Sequence, residues 1–220
     1  MSTIFIIGAT GGVGHRLTPI LIKAGYKVIG LHRKPEQAEV LREAGVTPVE
    51  GDFIDMSADD LAKAMAGADI VVFSAGAAGS GMDRATAIDG EGPAKVMQAM
   101  KQQDIRRFYL VSAFPEAGRG KEPKPGFEHY MKMKKQADTD VVASDLDWVI
   151  LRPGTLLHEE SDGQVNAGLA IPYGTVKRGN VAAFLAELIE APAINREIIE
   201  LTDGETGIVD AVAGLVRRPA

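Results

Sequence analysis

Short apolar runs alternate along the chain with stretches whose hydrophobic residues recur at helical intervals, and that rhythm persists to residue 151. Ile4–Ile7, Lys27–Leu31, Val46–Glu50, Asp69–Phe73, Arg107–Val111 and Trp148–Leu151 read as strands. Runs without polar alternation suit parallel strands covered on both faces. Between them the spacing predicts helices from about Leu17 to Ala24, with Gly25 as the stop, and over Pro35–Ala44. Further helices are predicted over Ala58–Ala66 behind an N-cap at Ser57, over Arg84–Lys101, and from about Glu128 to Ala143. Strand and helix in regular alternation predict an α/β fold, a Rossmann-type doubly wound parallel sheet with helices on both faces.

The pattern weakens after that. Leu156–Thr175 lacks strong periodicity, and then Arg178–Glu190 reads as a helix, Glu197–Leu201 as a strand and Gly207–Val216 as a last helix. The simplest organisation is one domain over residues 1–220, with 152–220 contributing a small substrate-side region. Phe114–Phe127, which contains K-E-P-K-P-G, is too polar and proline-rich for a regular element. It is expected to be mobile and to set specificity. Trp148, in an apolar strand, is expected in the core.

The first strand runs straight into G-A-T-G-G-V-G at 8–14, and a helix opens inside that loop. Gly8, Gly11 and Gly14 recur every third position, with Thr10, Gly12 and Val13 among them. A β-carbon here would obstruct the strand-to-helix turn and hold a pyrophosphate away from the backbone N–H groups. The last glycine lets the helix pack closely on the strand. The arrangement is that of a dinucleotide-binding turn.

The second strand ends in His32-Arg33-Lys34. An acid at this tip would accept from a ribose 2′-hydroxyl, whereas arginine offers a planar fork to a 2′-phosphate. Arg33 therefore favours NADP over NAD, the alternative being three solvated basic residues. In the turn Gly51-Asp52-Phe53, Asp52 can accept from an adenine amino group or cap its own turn. The fourth strand ends in the small residues Ser74-Ala75-Gly76, which should face the glycine loop if strands one and four are neighbours. A plain linker would look similar.

Tyr130 and Lys134 lie four apart and share one helical face, and Ser112 ends the fifth strand. A phenol titrates near ~10, so an adjacent ammonium is needed to help it exchange protons at neutral pH. Tyr130 can then pass a proton to or from a substrate oxygen, Lys134 can supply the cation, and Ser112 can donate to the same oxygen. His15, His32, His129 and His158 show no metal-ligand spacing, so no metal site is expected. The glycine loop lacks a Walker lysine, and Ser112 lacks a G-x-S-x-G elbow.

The net charge of −6 over 220 residues gives no general attraction for nucleic acid or anionic lipid. No cysteine is present, so neither a disulfide framework nor a thiolate site exists. No apolar run approaches the ~20 residues of a membrane span, and no cleavable leader pattern stands at the N-terminus. A cytoplasmic protein is expected, monomer or homodimer, with a small-molecule substrate and neither nucleic acid nor membrane as partner.

Taken together, G-A-T-G-G-V-G, Asp52, Ser74-Ala75-Gly76, Ser112, Y-M-K-M-K at 130–134, A-D at 137–138 and L-D-W-V-I-L-R-P-G at 146–154 resemble the atypical short-chain dehydrogenase/reductases. Within them the chain is similar to small NAD(P)H-binding proteins related to flavin and biliverdin reductases and to NAD-dependent epimerase-like proteins. The resemblance implies NADP along Gly8–Gly14, Arg33 on the 2′-phosphate, Asp52 near adenine and Ser74–Gly76 beside the ribose. It also implies Lys134 on the nicotinamide ribose and Arg152-Pro153-Gly154 bordering the nicotinamide and substrate pocket. The activity expected is NADPH-dependent reduction of a small carbonyl, quinone or flavin-like acceptor. A non-catalytic NADP sensor and a sugar-nucleotide epimerase or dehydratase are the alternatives.

Overall fold

The computed structural model describes residues 2–122 and 124–217. Its N-terminal part alternates β1 (Thr3–Ile7), α1 (Gly14–Lys23), β2 (Lys27–His32), α2 (Glu36–Glu43), β3 (Thr47–Glu50), α3 (Ala58–Ala64) and β4 (Ile70–Phe73). A short turn α4 (Met82–Arg84), a π-helical turn (Ala85–Gly90) and α5 (Glu91–Gln102) follow, then β5 (Arg107–Val111), α6 (Pro125–Val142) and β6 (Asp147–Pro153). The last part holds β7 (Thr155–Leu157), β8 (Gln164–Gly168), β9 (Thr175–Lys177), α7 (Arg178–Glu190), β10 (Glu197–Asp203), β11 (Thr206–Gly207) and α8 (Ile208–Leu215).

Nine strands form one sheet in the order β11-β8-β10-β6-β5-β4-β1-β2-β3, and β7 pairs with β9 in a separate ribbon. From β10 to β3 every pairing is parallel, while β8 is antiparallel to β10 and to β11. This is the expected Rossmann-type fold. Alternate side chains of β1 feed two cores. Ile4 and Ile6 pack with Leu17 and Leu21 of α1 and Val181 and Leu185 of α7, and Phe5 and Ile7 with Leu61 of α3, Val96 of α5 and Val141 of α6. Each such side chain, fully withdrawn from water, stabilises the fold by about 1.5–3 kcal/mol. Trp148 lies in the second core, as expected.

Local chemistry sets the element ends. Ser57 caps α3 by accepting from the Asp60 N–H at 3.1 Å, and Asp60 Oδ2 accepts from the Ser57 N–H at 3.2 Å. Pro48 is tolerated because β3 is an edge strand. Helix α6 starts at Pro125, earlier than the expected Glu128, since proline suits a first helical turn; Pro123 of the same stretch lies outside the described residues. The helix expected from Arg84 is broken at its start by the π-helical turn. The stretch without periodicity holds β7, β8 and β9, strands of three to five residues that are too short to show a pattern. Among the described residues no helix is long and apolar enough to cross a membrane.

Candidate active site

Strands β1 and β4 are neighbours, with Ile7 in register with Phe73, so their C-terminal loops meet at the point where the strand order reverses. Gly8 takes φ +94°, and a β-carbon on it would lie 2.6 Å from Ala75 N. The Ser74 hydroxyl donates to Ile7 O at 3.3 Å, tying the two loops together. A β-carbon on Gly14 would run into Gly8 O, so this glycine serves the close packing of α1 on β1.

The loops form the floor of a cleft of about 990 Å³. Gly8, Thr10, Gly11, Gly12 and Val13 line it from one loop, and Ser74, Ala75 and Gly76 from the other. Arg33, Asp52 and Phe53 line it beyond β2 and β3, and Ser112, Tyr130 and Lys134 line it at the ends of β5 and α6. Gly14 and Pro153 do not. Pro153, expected at the pocket edge, is buried where β6 continues through it and pairs with Leu201 of β10. Arg152 is likewise turned to another task, described below.

At the β2 end, Asp52 Oδ1 accepts from the Ile54 N–H at 3.0 Å, the turn-capping role left open by the sequence. Its other oxygen stands 3.8 Å from Arg33 Nη1. Gln37 Oε1 accepts from the N–H groups of Arg33 and Lys34, and Gln37 Nε2 donates to Thr10 Oγ1 at 3.2 Å. One amide thus links the basic tip to the glycine loop. Lys95 fixes the turn beneath by donating to Phe53 O at 2.6 Å and Met56 O at 2.9 Å, with its ammonium 4.5 Å from the Phe53 ring centroid. Burial lowers its pKa.

At the opposite end the charges are buried. Lys134 Nζ lies 3.0 Å from Asp89 Oδ1 and donates to Val111 O at 3.2 Å, which secures the ammonium between α6, β5 and the π-helical turn. Asp89 Oδ2 accepts from the Ala77 N–H at 3.0 Å, extending the connection to the loop after β4. One turn further along α6, Asp138 Oδ2 accepts from Arg152 Nε at 2.8 Å, and Arg152 Nη2 stands at 2.8 Å from the same oxygen. Burial draws the Lys134 pKa down, but Tyr130, Asp89 and Asp138 outweigh it and the net shift is upward. Burial also raises the Tyr130 phenol; Lys134 opposes this, while Asp89 and Asp138 reinforce it. Ser112 Oγ is buried at the end of β5 and faces Asp138, whose carboxyl it helps to hold down against the upward pull of burial. The Lys134 ammonium lies 5.8 Å from the centroid of the Tyr130 ring, and the net shift of the phenol is upward.

A family model described as NAD(P)H-binding matches residues 8–192, from the glycine loop through α7. The chain belongs to this NAD(P)H-binding family. It is 31% identical over 214 residues to YhfK of Bacillus subtilis, named an uncharacterised sugar epimerase, covering 96% of this chain and 99% of that one. A solved structure from Bacillus halodurans, assigned to the NAD-dependent epimerases/dehydratases, has 30% identity and a TM-score of 0.88 over 98% of this chain and 100% of its own. ChuY of Escherichia coli O157:H7, an anaerobillin reductase, has 26% identity and a TM-score of 0.79 over 93% and 98%.

In this NAD(P)H-binding protein several cleft residues escape a reading of the sequence. Asp89 sits in a helix that the sequence predicts as regular, and its partner is far along the chain. Gln37 looks like any polar residue of an exposed helix face. Arg178 opens α7 and reaches the cleft only because the C-terminal half folds back on α1. Asp138, which binds Arg152, is the buried carboxylate that the sequence does signal, through the A-D pair at 137–138.

Proposed function

We propose that the protein is an NADPH-dependent oxidoreductase that reduces a small carbonyl, quinone or flavin-like acceptor. The observation that carries this reading is that the glycine loop, Ser112, Tyr130 and Lys134 share one cleft. The cleft suits a dinucleotide: Gly8 leaves bare backbone where a β-carbon would strike the facing loop, and the buried Ser112 hydroxyl lines the same cleft. NADPH, when bound, supplies the hydride. Gly8, Thr10, Gly11, Gly12 and Val13 would hold its pyrophosphate, with α1, shaped by Gly14, presenting its N-terminus.

Arg33 would take the 2′-phosphate, with Asp52 and Phe53 around adenine and Ser74, Ala75 and Gly76 beside the ribose. Ser112 donates to the acceptor oxygen as charge develops there. Tyr130, which its surroundings keep protonated, gives its proton to that oxygen. Lys134, fixed by Asp89 and Val111, holds the tyrosine side of the site in place and contributes positive charge. Residues 152–220 build the substrate side of a single domain, and the stretch that follows β5 sets specificity. We place the protein in the cytoplasm, acting on a small molecule as a monomer or homodimer.

The likeness to a reductase supports the reaction class. The epimerase name of the Bacillus subtilis relative supports a second reading, sugar-nucleotide epimerisation. Following NADPH oxidation with a panel of quinones, flavins and aldehydes tests the first. Turnover of any of them supports it. Cofactor binding without turnover replaces it with a sensor, and tight binding of a nucleotide sugar in its stead favours the epimerase.

A further inference from the structure

Arg178 packs its side chain over Gly12. A β-carbon built on Gly12 would lie 2.6 Å from Arg178 Cδ and 2.7 Å from its Nε, so the space that glycine leaves at this position of the loop is filled by an arginine stem. The side chain lines the cleft, and its Nη1 donates to Leu156 O at 3.2 Å. That bond uses one of the five N–H donors of a guanidinium. No carboxylate stands within 4.0 Å of it among the described residues, whereas neighbouring Arg16 has Glu160 at 2.7 Å. Burial and the like charge of Arg16 both push Arg178 below the usual arginine value. A partly buried cation beside a second cation is unfavourable until an anion joins it.

The position selects which anion. The stem rests on the loop whose N–H groups open α1, the place where a helix N-terminus and a bare backbone attract phosphate. Arg33 is held elsewhere, by Gln37 and Asp52 at the tip of β2. We infer that Arg178 receives the cofactor's pyrophosphate at the glycine loop, a contact common to NADPH and NADH and separate from the 2′-phosphate end. This inference rests on the dinucleotide reading of the cleft. It also gives Gly12 a role the sequence does not show, since a side chain there would displace the arginine.

The test measures Kd for NADPH and NADH by nicotinamide fluorescence in the wild type, Arg178→Gln and Arg178→Lys, with 2′-AMP as a competing probe that lacks a pyrophosphate. Loss of a charge-assisted bond is expected to raise both cofactor Kd values by about tenfold in Arg178→Gln. The 2′-AMP affinity should stay unchanged, and Arg178→Lys should recover part of the loss. Unchanged cofactor affinity with a raised KM for the acceptor would overturn the inference and move Arg178 to substrate recognition. Equal weakening of 2′-AMP would also overturn it, because the effect would then be a general distortion. Failure of the wild type to bind either cofactor is a separate result that removes the dinucleotide reading itself.

Discussion

Lys134 and Asp89 meet at 3.0 Å with side chains only 5% and 0% exposed, whereas Arg33 and Asp52 lie 3.8 Å apart with 50% and 30% of theirs in solvent. Both pairs border one cleft, yet the physics differs. Lys134 and Asp89 have lost their hydration, so each depends on the other. Arg33 keeps water and holds Asp52 loosely, so its guanidinium can turn to a phosphate at little cost. The buried pair fixes geometry; the open pair is available for binding.

Breaking the buried pair should give the largest effect. Asp89→Ala leaves the Lys134 ammonium without its partner and frees the Ala77 N–H, and a loss of about 3–5 kcal/mol is expected in chemical denaturation. A value near zero would mean that the pair does not hold the site. Next in size, Tyr130→Phe should lower kcat by about 10²-fold or more while leaving cofactor Kd unchanged, as removal of a general acid requires. The pH profile sharpens this. The acid form is the active one and burial raises the phenol above its ordinary 10.0, so activity should not fall through tyrosine ionisation below pH 10.0 and should be lost as pH rises through the raised value. A fall near neutral pH, abolished in Tyr130→Phe, would contradict the assignment. The smallest effect belongs to the open pair. Arg33→Ala should weaken NADPH by about tenfold, leave NADH nearly unchanged and barely alter stability. Equal losses for both cofactors would remove the 2′-phosphate role.

The same contrast explains what could be read from the chain. The end of the cleft near β1 and β4 is built from backbone, and a backbone site demands small residues in consecutive positions, which G-A-T-G-G-V-G and Ser74-Ala75-Gly76 display. Apolar runs that belong in a sheet covered on both faces announce β1, β4, β5 and β6 equally well. The other end is built from side chains that meet only after folding. Tyr130 and Lys134 show as neighbours because helical spacing joins them, but Asp89 approaches from a π-helical turn that no periodicity reveals. For that reason the carboxylate that pairs with the Lys134 ammonium is not legible in the sequence. Arg178 is farther still, since α7 must pack on α1 before the arginine reaches Gly12. Pro153 shows the converse: its motif marks the end of a strand, and the burial of that end is decided by β10.

In the proposed function this cleft binds a phosphorylated nicotinamide dinucleotide. Titration of the purified protein with NADPH and with NADH, followed by nicotinamide fluorescence, tests it most directly. Saturable binding with NADPH clearly tighter than NADH is the predicted result; absence of binding to both would remove the dinucleotide role of the glycine loop.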